Sequence, residues 1–306
     1  MKVLSLFDGG STGLFCFKQL GLTPRYYASE IDKNAIKVSQ DNHKGIVRLG
    51  DVTKLSYKDG FLISEFEKRY VGKIDFLIGG SPCQSFSQAA AISGNENGLN
   101  GKSKLFYEYL RLLKEIQEEN PNVYFLLENV KMKNESKQQL DDYLGVEGKY
   151  LNSELVSYQK RPRFYWTNWD WDLPNDMNIN FQDFKEGGDL SIYKVKRTPS
   201  REKMWNNGSG RVNLGSCANV TNSSKIYCLT LKQDRWPNSG LIEYEDFCRY
   251  LTRSELEQAQ NLPIGYTKSV SYNQAQAVLG NGWTANAIIH ILKQNPLIKS
   301  KINRGH

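Results

Sequence analysis

Short apolar runs alternate with amphipathic segments along the first half of the chain. The apolar runs, which we expect to be strands, lie at 3–7, 25–30, 46–49, 74–78 and 123–127. Between them, apolar residues at helical spacing predict helices that end at Leu20 and that cover 33–41 and 104–120. Strands that alternate with helices form a parallel sheet with right-handed crossovers. The pattern therefore predicts an α/β fold with a doubly wound, Rossmann-like sheet.

The pattern changes in the second half of the chain. Residues 169–247 are rich in Asn, Gly, Ser, Lys and Trp and show no alternation of strands and helices. A helical pattern returns at 252–260, and a final helix is expected over 284–293. We therefore expect residues 1–168 and 248–306 to form the main domain, with a small lobe over 169–247 inserted into it.

The composition is that of an ordinary globular protein, with 39% hydrophobic residues and a mean hydropathy of -0.57. No apolar run is long enough to span a membrane or to form a signal peptide, so we expect the chain in the cytoplasm. The five cysteines form no CxxC pair and there are three histidines, so we expect no metal site. A net charge of +7 suits a polyanionic partner but does not prove one.

Glycines and acidic residues follow the first three expected strands, where such sheets bind their ligands. The first strand runs into Asp8-Gly9-Gly10-Ser11-Thr12-Gly13, a segment that allows a tight turn and close approach of a ligand. Glu30 ends the second strand, where an acidic side chain can bind ribose hydroxyls. Asp51 follows the third, where a carboxylate can accept a hydrogen bond from an adenine amino group. Together they indicate an adenosine-containing cofactor, whereas the first segment alone is equally well explained as a structural turn.

The fourth expected strand runs into Gly80-Ser81-Pro82-Cys83. A cysteine at a ligand-bearing strand end, on a turn that a proline stiffens, is placed as a nucleophile. The alternative is burial as a small apolar side chain, which we expect for Cys16 and Cys228 on their apolar stretches. The polar, glycine-rich segment 84–101 is typical of a mobile lid and favours a chemical role for the cysteine before it.

Charged residues follow the fifth expected strand. Glu128 starts the segment Glu128-Asn129-Val130, and its carboxyl group can hydrogen-bond a bound base or cap a helix. Arg161 and Arg163 alternate about a proline, so they share one face of an extended segment. Their flat guanidinium groups suit a base oxygen or a phosphate, and a solvated basic edge strand is the alternative.

These motifs occur in the order and strand positions of the cytosine-5 DNA methyltransferase family, which the chain resembles over nearly its whole length. The shared motifs are Phe7-Asp8-Gly9…Gly13, Pro82-Cys83, Glu128-Asn129-Val130, Gln159-x-Arg161-x-Arg163, Leu251-Thr252-x-x-Glu255 with Pro263, and Gly280-Asn281. Details most similar to the animal de novo methyltransferases are the Asp-Gly-x-x-Thr-Gly turn, Arg163-Phe164-Tyr165-Trp166 and Trp283. Departures from the common pattern, at Ser11, Gln258, Asn261-Leu262 and Gly282-Trp283, concern local packing more than the reaction.

The resemblance implies a Rossmann-like methyltransferase domain that takes its methyl group from S-adenosyl-L-methionine. It assigns attack on C6 of cytosine to Cys83, binding of N3 and the exocyclic amine to Glu128, and binding of O2 to Arg163. It places Arg161 nearer a backbone phosphate. The residues implied to bind the cofactor are Phe7, Asp8, Gly9, Gly13, Glu30, Ile31, Asp51, Val52, Asn281 and Trp283.

The implied partner is double-stranded DNA. The target base must leave the duplex, which costs roughly a few kcal/mol that phosphate contacts offset. The lobe at 169–247 is then expected to recognise the target, and its cationic residues are either phosphate contacts or solvated charges. The residues concerned are Lys194, Lys196, Arg197, Arg201 and Lys203.

Three alternatives stay open. A tRNA-modifying branch shares the fold and the motifs, and composition does not separate it from the DNA enzymes. An inactive, cofactor-binding regulatory protein is the second alternative, against which the intact Cys83, Glu128 and Arg163 argue. A nicotinamide oxidoreductase would account for the first three strand ends, but it gives no role to Pro82-Cys83 or to the paired arginines.

Overall fold

The computed structural model describes residues 1–81, 105–199, 219–231, 233, 240–244 and 247–304. Its contacts divide the chain into two compact units. Unit 1 consists of Met1–Leu151, Pro162–Leu173 and Ile289–His306, and unit 2 consists of Asn152–Arg161 and Pro174–Ile288. Unit 2 thus includes residues 248–288, which the sequence pattern had assigned to the main domain. Contacts between residues far apart in sequence explain why 248–288 group with unit 2. For example, Tyr158 Oη donates to the Glu255 carbonyl at 2.5 Å.

Unit 1 is built on a seven-stranded sheet with the order β3-β2-β1-β7-β8-β10-β9. Its strands are β1 Lys2–Leu6, β2 Arg25–Ser29, β3 Val47–Gly50, β7 Phe76–Gly79, β8 Tyr124–Val130, β9 Lys149–Asn152 and β10 Pro162–Thr167. The first five in this order run parallel, and β10 is antiparallel to β8. The chain leaves β1 toward β2 on one side and reaches β7 on the other, so the strand order reverses at β1. Ligands of doubly wound sheets bind beyond the carboxyl ends at such a point.

Helices cover both faces of this sheet. They are α1 Thr12–Gln19, α2 Lys33–Asn42, α3 Leu105–Glu119, α4 Asn134–Leu144 and, in the last part of the chain, α8 Pro296–Arg304. Consecutive strand residues point to opposite faces. Phe76 contacts Phe17 of α1 with ring centroids 5.7 Å apart, whereas Leu77 lies in the apolar cluster that includes Leu112 of α3. The predicted doubly wound α/β fold is confirmed.

A second, three-stranded antiparallel sheet lies between β3 and β7 in the sequence. Its strands are β4 Ser56–Lys58, β5 Phe61–Ile63 and β6 Lys68–Tyr70. Two carboxylates of α3 hold it: Glu115 Oε2 accepts from the Tyr57 N–H at 2.8 Å and Glu119 Oε2 from the Gly60 N–H at 2.7 Å. Sequence periodicity missed these strands, because three residues are too few to show an alternation.

Unit 2 contains a small sheet of β11 Lys194–Val195, β12 Ile242–Tyr244 and β13 Phe247–Arg249, with helices α5 Arg253–Ala259 and α6 Tyr272–Asn281. Helix α7, Ala285–Leu292, crosses from unit 2 into unit 1. The expected helices over 252–260 and 284–293 are therefore confirmed. Thr252 starts α5 through a capping box with Glu255. No helix in the described ranges is long and apolar enough to cross a membrane.

Candidate active site

The turn after β1 has an unusual backbone. Phe7, Gly9 and Ser11 have φ angles of 56°, 57° and 61°, so three alternate residues are left-handed. That conformation suits glycine and strains the other two residues. The Gly9 N–H donates to Glu30 Oε2 at 2.8 Å, which ties the end of β1 to the end of β2. The turn is thus held open at the carboxyl edge of the sheet.

Asp8 supports this turn from inside. Its side chain is buried; Oδ1 accepts from Tyr26 Oη at 2.8 Å, and Oδ2 accepts from Ser11 Oγ. Arg48 Nη1 lies 3.5 Å from Oδ2. Burial raises the pKa of Asp8 above its usual value, against these stabilising partners. The expected contact of Asp8 with the cofactor is therefore replaced by an internal role for its side chain.

Glu30 and Asp51 follow β2 and β3. Glu30 Oε1 accepts from the backbone N–H groups of Ile31 at 2.8 Å and Asp32 at 2.9 Å. Asp51 Oδ1 accepts from both the N–H and Oγ1 of Thr53 at 2.9 Å, and thereby caps a short 3-10 turn that begins at the buried Val52. Because β1, β2 and β3 are neighbours in the sheet, the three predicted strand ends lie side by side.

The chain enters the segment of Cys83 next to β8. Pro82 and Cys83 lie outside the described residues, but Ser81 is buried and its Oγ accepts from Asn129 Nδ2 at 3.2 Å. The preceding Gly79 leaves no room for a side chain, since a Cβ there would lie 2.9 Å from the Leu6 carbonyl oxygen. The start of the nucleophile segment is therefore fixed between β1 and β8.

Glu128 and Arg163 form an ion pair on adjacent antiparallel strands. Arg163 Nε lies 2.7 Å from Glu128 Oε1, and each side chain is 11% exposed. Arg163 Nη1 also donates to the Pro162 carbonyl at 2.8 Å. A carboxylate and a planar guanidinium held together at low exposure can bind both the acceptor and the donor groups of a flat base. The structure thus brings together two of the predicted catalytic residues.

Arg161 has a different role from the expected phosphate contact. It is 3% exposed and lies in unit 2, where its guanidinium donates to the carbonyls of Leu229 at 3.1 Å, Gly280 at 3.0 Å and Gly282 at 2.7 Å. A guanidinium that is buried and satisfied by three carbonyls is not available to a phosphate. Arg161 instead holds the backbone on both sides of Asn281.

Replacing Arg161 by methionine is expected to lower the free energy of unfolding by about 2–5 kcal/mol, because buried carbonyls lose their donor. Urea unfolding followed by circular dichroism measures the change. Lys196→Met is the matched control, since Lys196 is exposed, and a shift within about 0.5 kcal/mol is expected there. Equal stability of Arg161→Met and the wild type would contradict the structural role.

The other predicted residues of unit 2 lie near the end of α6. Asn281 is exposed and Trp283 is half-buried. A Cβ on Gly280 would lie 2.8 Å from the backbone of Thr230, so glycine permits this close approach. In the lobe, Lys194, Lys196 and Arg197 are exposed, while Arg201 and Lys203 lie outside the described residues.

Two further cysteines test the expectation of burial. Cys16 is fully buried, and burial raises the pKa of its thiol well above the usual value, so it is not a nucleophile. Cys228 is only half-buried, and its Sγ accepts from Arg161 Nη1 at 3.3 Å. The expectation is confirmed for Cys16 and is wrong for Cys228.

Sequence reasoning missed the side chains that support the site from α3. Arg111 Nη2 donates to the carbonyls of Leu55 at 2.7 Å and Val52 at 3.3 Å, and so closes the turn after Asp51. Ion pairs with Glu108 at 2.7 Å and Glu115 at 2.6 Å hold the guanidinium. The helical spacing of Glu108, Arg111 and Glu115 predicts ion pairs on the helix surface. It does not predict that Arg111 also donates to the carbonyls of Leu55 and Val52. In the described part of the chain, no group of three His, Cys, Asp or Glu side chains could hold a metal ion.

Comparisons with known proteins indicate the family of the chain. A sequence model of the family described as C-5 cytosine-specific DNA methylase matches residues 1–207. The type II methyltransferase M.FnuDI of Fusobacterium nucleatum is 39% identical over 131 residues, which are 43% of this chain and 33% of that protein. The type II methyltransferase M1.ScrFI of Lactococcus lactis subsp. cremoris is 28% identical over 97% of this chain and 78% of its own.

The solved structure of the S. pombe Dnmt2 methyltransferase has a TM-score of 0.69 and 17% identity, and the match covers 99% of each chain. At this identity the likeness concerns the fold. With the family match over more than half of the chain and the ordered strand ends described above, the chain belongs to the C-5 cytosine-specific DNA methylase family, a family of DNA cytosine-5 methyltransferases.

Proposed function

We propose that the chain transfers a methyl group from S-adenosyl-L-methionine to C5 of cytosine in double-stranded DNA, with Cys83 as the nucleophile. The observation that carries the proposal is the Glu128–Arg163 pair, 2.7 Å apart, in which Glu128 lies on β8, the neighbour of the strand β7 that leads into Cys83. A base-binding pair beside a nucleophile segment is what addition to a flat heterocycle needs.

Each residue has a defined part in this mechanism. The thiolate of Cys83 adds to C6 of cytosine, and the electron pair of the C5–C6 double bond makes C5 nucleophilic. The Glu128 carboxyl group gives a proton to N3 and accepts a hydrogen bond from the exocyclic amine, and so neutralises the negative charge that the thiolate brings to the ring. Arg163 orients the Glu128 carboxylate and binds O2. Once C5 carries the methyl group, loss of the C5 proton re-forms the C5–C6 double bond and expels Cys83 as the thiolate.

The cofactor would occupy the three strand ends of unit 1. The left-handed turn at Phe7 and Gly9 exposes backbone next to Glu30, whose position suits the ribose, and Asp51 suits the adenine amino group. The backbone of this turn and the carboxylates of Glu30 and Asp51 fit the hydrogen-bonding groups of an adenosine moiety. S-adenosyl-L-methionine, when bound there, supplies the methyl group. The family resemblance also includes Asn281 and Trp283 among the proposed cofactor-binding residues.

The substrate is proposed to be a duplex from which one cytosine is flipped. Lys194 of β11 and Lys196, which follows the strand, are exposed on either side of the buried Val195. Such exposed cations fit a phosphate backbone and support the target-recognition role of residues 169–247. Arg197, the next residue, is also exposed.

Transfer of tritium from labelled cofactor separates the two nucleic-acid substrates. We expect incorporation into duplex DNA and none into tRNA, and labelling of tRNA alone would replace the proposal with the RNA-modifying alternative. A covalent complex with a duplex that contains 5-fluorocytosine distinguishes an enzyme from a regulatory protein, because fluorine at C5 blocks the elimination of Cys83. Absence of both labelling and complex would leave the regulatory alternative.

The proposal also covers the nearest branch of the family, the biological role and the place of action. The turn at Asp8–Gly13 and Trp283 support a likeness to the animal de novo methyltransferases. The type II methyltransferases among the relatives support a role in restriction–modification. The absence of a long apolar run in the sequence supports action in the cytoplasm.

A further inference from the structure

The turn between β5 and β6 presents an exposed aromatic side chain on a well-held backbone. The Ser64 N–H donates to the Glu67 carbonyl at 2.9 Å, and Ser64 Oγ accepts from the N–H groups of Phe66 and Glu67 at 3.2 Å. Phe66 lies at the tip and is 67% exposed. The three bonds close the turn on itself, so the ring is carried by an ordered backbone.

This turn is attached to the end of β3. Glu65 Oε1 accepts from the Asp51 N–H at 3.2 Å, and Glu65 Oε2 pairs with Lys54 Nζ at 2.7 Å. Glu65 thereby links the turn to the residue proposed to read the adenine. The attachment places Phe66 beside Asp51, although the two are far apart along the chain.

Gly50 shows how close the turn comes to the strand. A Cβ on Gly50 would lie 2.5 Å from Glu65 Oε1 and 2.7 Å from Phe66 Cε2, and its φ is +73°. A side chain there would displace the Glu65 carboxylate and the Phe66 ring, so glycine allows the ring to lie against the last residue of β3.

The neighbouring strand end presents a second exposed apolar side chain. Ser29 of β2 pairs with Gly50 in the sheet, and Ser29 Oγ donates to the Gly50 carbonyl at 2.7 Å. Two residues after Ser29 comes Ile31, which is 69% exposed. Ile31 thus follows the end of β2 and the Phe66 ring lies against the end of the adjacent β3, and the carboxylates of Glu30 and Asp51 belong to the same two strand ends. A single exposed apolar side chain would need no explanation, but two beside the proposed adenosine site do.

We propose that Phe66 is an additional cofactor-binding residue that stacks on the adenine ring. This role rests on the proposed cofactor site, to which the turn between β5 and β6 would add a stacking contact. An aromatic face binds the face of a purine, and the Asp51 carboxylate can accept a hydrogen bond from its edge. Ile31 provides apolar contact from the β2 side.

Loss of the ring is expected to weaken cofactor binding. Phe66→Ala should raise the Kd for S-adenosyl-L-methionine and S-adenosylhomocysteine by about 10- to 100-fold, the range of one base–aromatic stack. Phe66→Tyr should stay within about threefold of the wild type, and Phe66→Leu should fall between the two. At saturating cofactor, kcat should be unchanged in all three. Isothermal titration calorimetry and steady-state kinetics measure these quantities.

Tyr70→Ala is the matched control, because Tyr70 is 69% exposed on the same small sheet and packs against Phe61 with ring centroids 5.1 Å apart. Its Kd should equal that of the wild type. A Phe66→Trp variant gives a second readout, since stacking should quench its emission on titration with S-adenosylhomocysteine, relative to the wild type titrated in parallel.

Two failures are distinguishable. If the wild type binds S-adenosylhomocysteine and Phe66→Ala binds it equally well, or if Phe66→Trp shows no additional quenching, the stacking role is overturned and the proposed function stands. If the wild type itself binds neither S-adenosyl-L-methionine nor S-adenosylhomocysteine, the proposed cofactor is overturned, and the stacking role with it.

Discussion

Replacing Cys83 by serine is expected to reduce methyl transfer by at least about 10³-fold while leaving the Kd for S-adenosyl-L-methionine unchanged. A serine hydroxyl stays protonated near neutral pH and adds poorly to C6 of cytosine, whereas a thiol reaches the thiolate more readily. Tritium transfer to duplex DNA measures the activity, and calorimetry with the cofactor measures the affinity. Cys83 lies outside the described residues, so the expectation rests on its motif and on the fixed segment that leads to it.

The matched control is Cys228→Ser, the same exchange at a half-buried cysteine of unit 2. It should retain activity within about threefold, since its Sγ accepts from Arg161 Nη1 at 3.3 Å and a hydroxyl oxygen can also accept. The covalent complex with a 5-fluorocytosine duplex should form with this variant and disappear with Cys83→Ser. Full activity of Cys83→Ser would overturn the mechanism.

Glu128→Gln is expected to lower kcat by about 100- to 1,000-fold with little change in cofactor affinity. Glutamine keeps the size of the side chain but removes the charge that Arg163 pairs with at 2.7 Å, and it has no acidic proton to neutralise the negative charge that the Cys83 thiolate brings to the ring. Single-turnover methylation of a duplex gives the rate of the chemical step, and Kd values for the cofactor and the duplex show whether binding has changed.

Glu135→Gln serves as the control, because Glu135 is an exposed carboxylate in the first turn of α4. Arg163→Lys adds a second comparison, since lysine keeps the charge and loses the planar fork. If Glu128 and Arg163 act as one unit, the double variant should be about as slow as the slower single variant. A kcat for Glu128→Gln equal to that of Glu135→Gln would remove Glu128 from the chemistry.

The parts of the site that sequence predicted well are those with local signals. Gly9 and Glu30 were expected at adjacent strand ends, and the Gly9 N–H bonds to Glu30 Oε2 at 2.8 Å. Glycines in a turn and a charged residue after an apolar run are visible within a few positions. Glu128 and Arg163 were expected at one base-binding site, and the antiparallel pairing of β8 and β10 brings them into contact.

The parts that sequence predicted poorly depend on partners far along the chain. Arg161 was expected at a phosphate, yet Arg161 Nη2 donates to the Gly282 carbonyl 121 positions away. Asp8 was expected at the cofactor and is instead buried against Tyr26. An exposed and a buried arginine look the same in a local sequence pattern, because burial is decided by which segments pack around the side chain.

The sequence by itself determined the parallel sheet, and it predicted the edge at which ligands bind and the chemical class of the nucleophile and of the base-binding residues. These follow from continuous apolar runs, from glycine and proline geometry, and from side-chain chemistry, all of which are local properties. Only the tertiary structure decided that Arg161 holds the backbone around Asn281, that Arg111 closes the turn after Asp51, and that Phe66 lies against Gly50. Each of these contacts joins elements that are distant in sequence, and their geometry exists only after the sheet and its helices have packed.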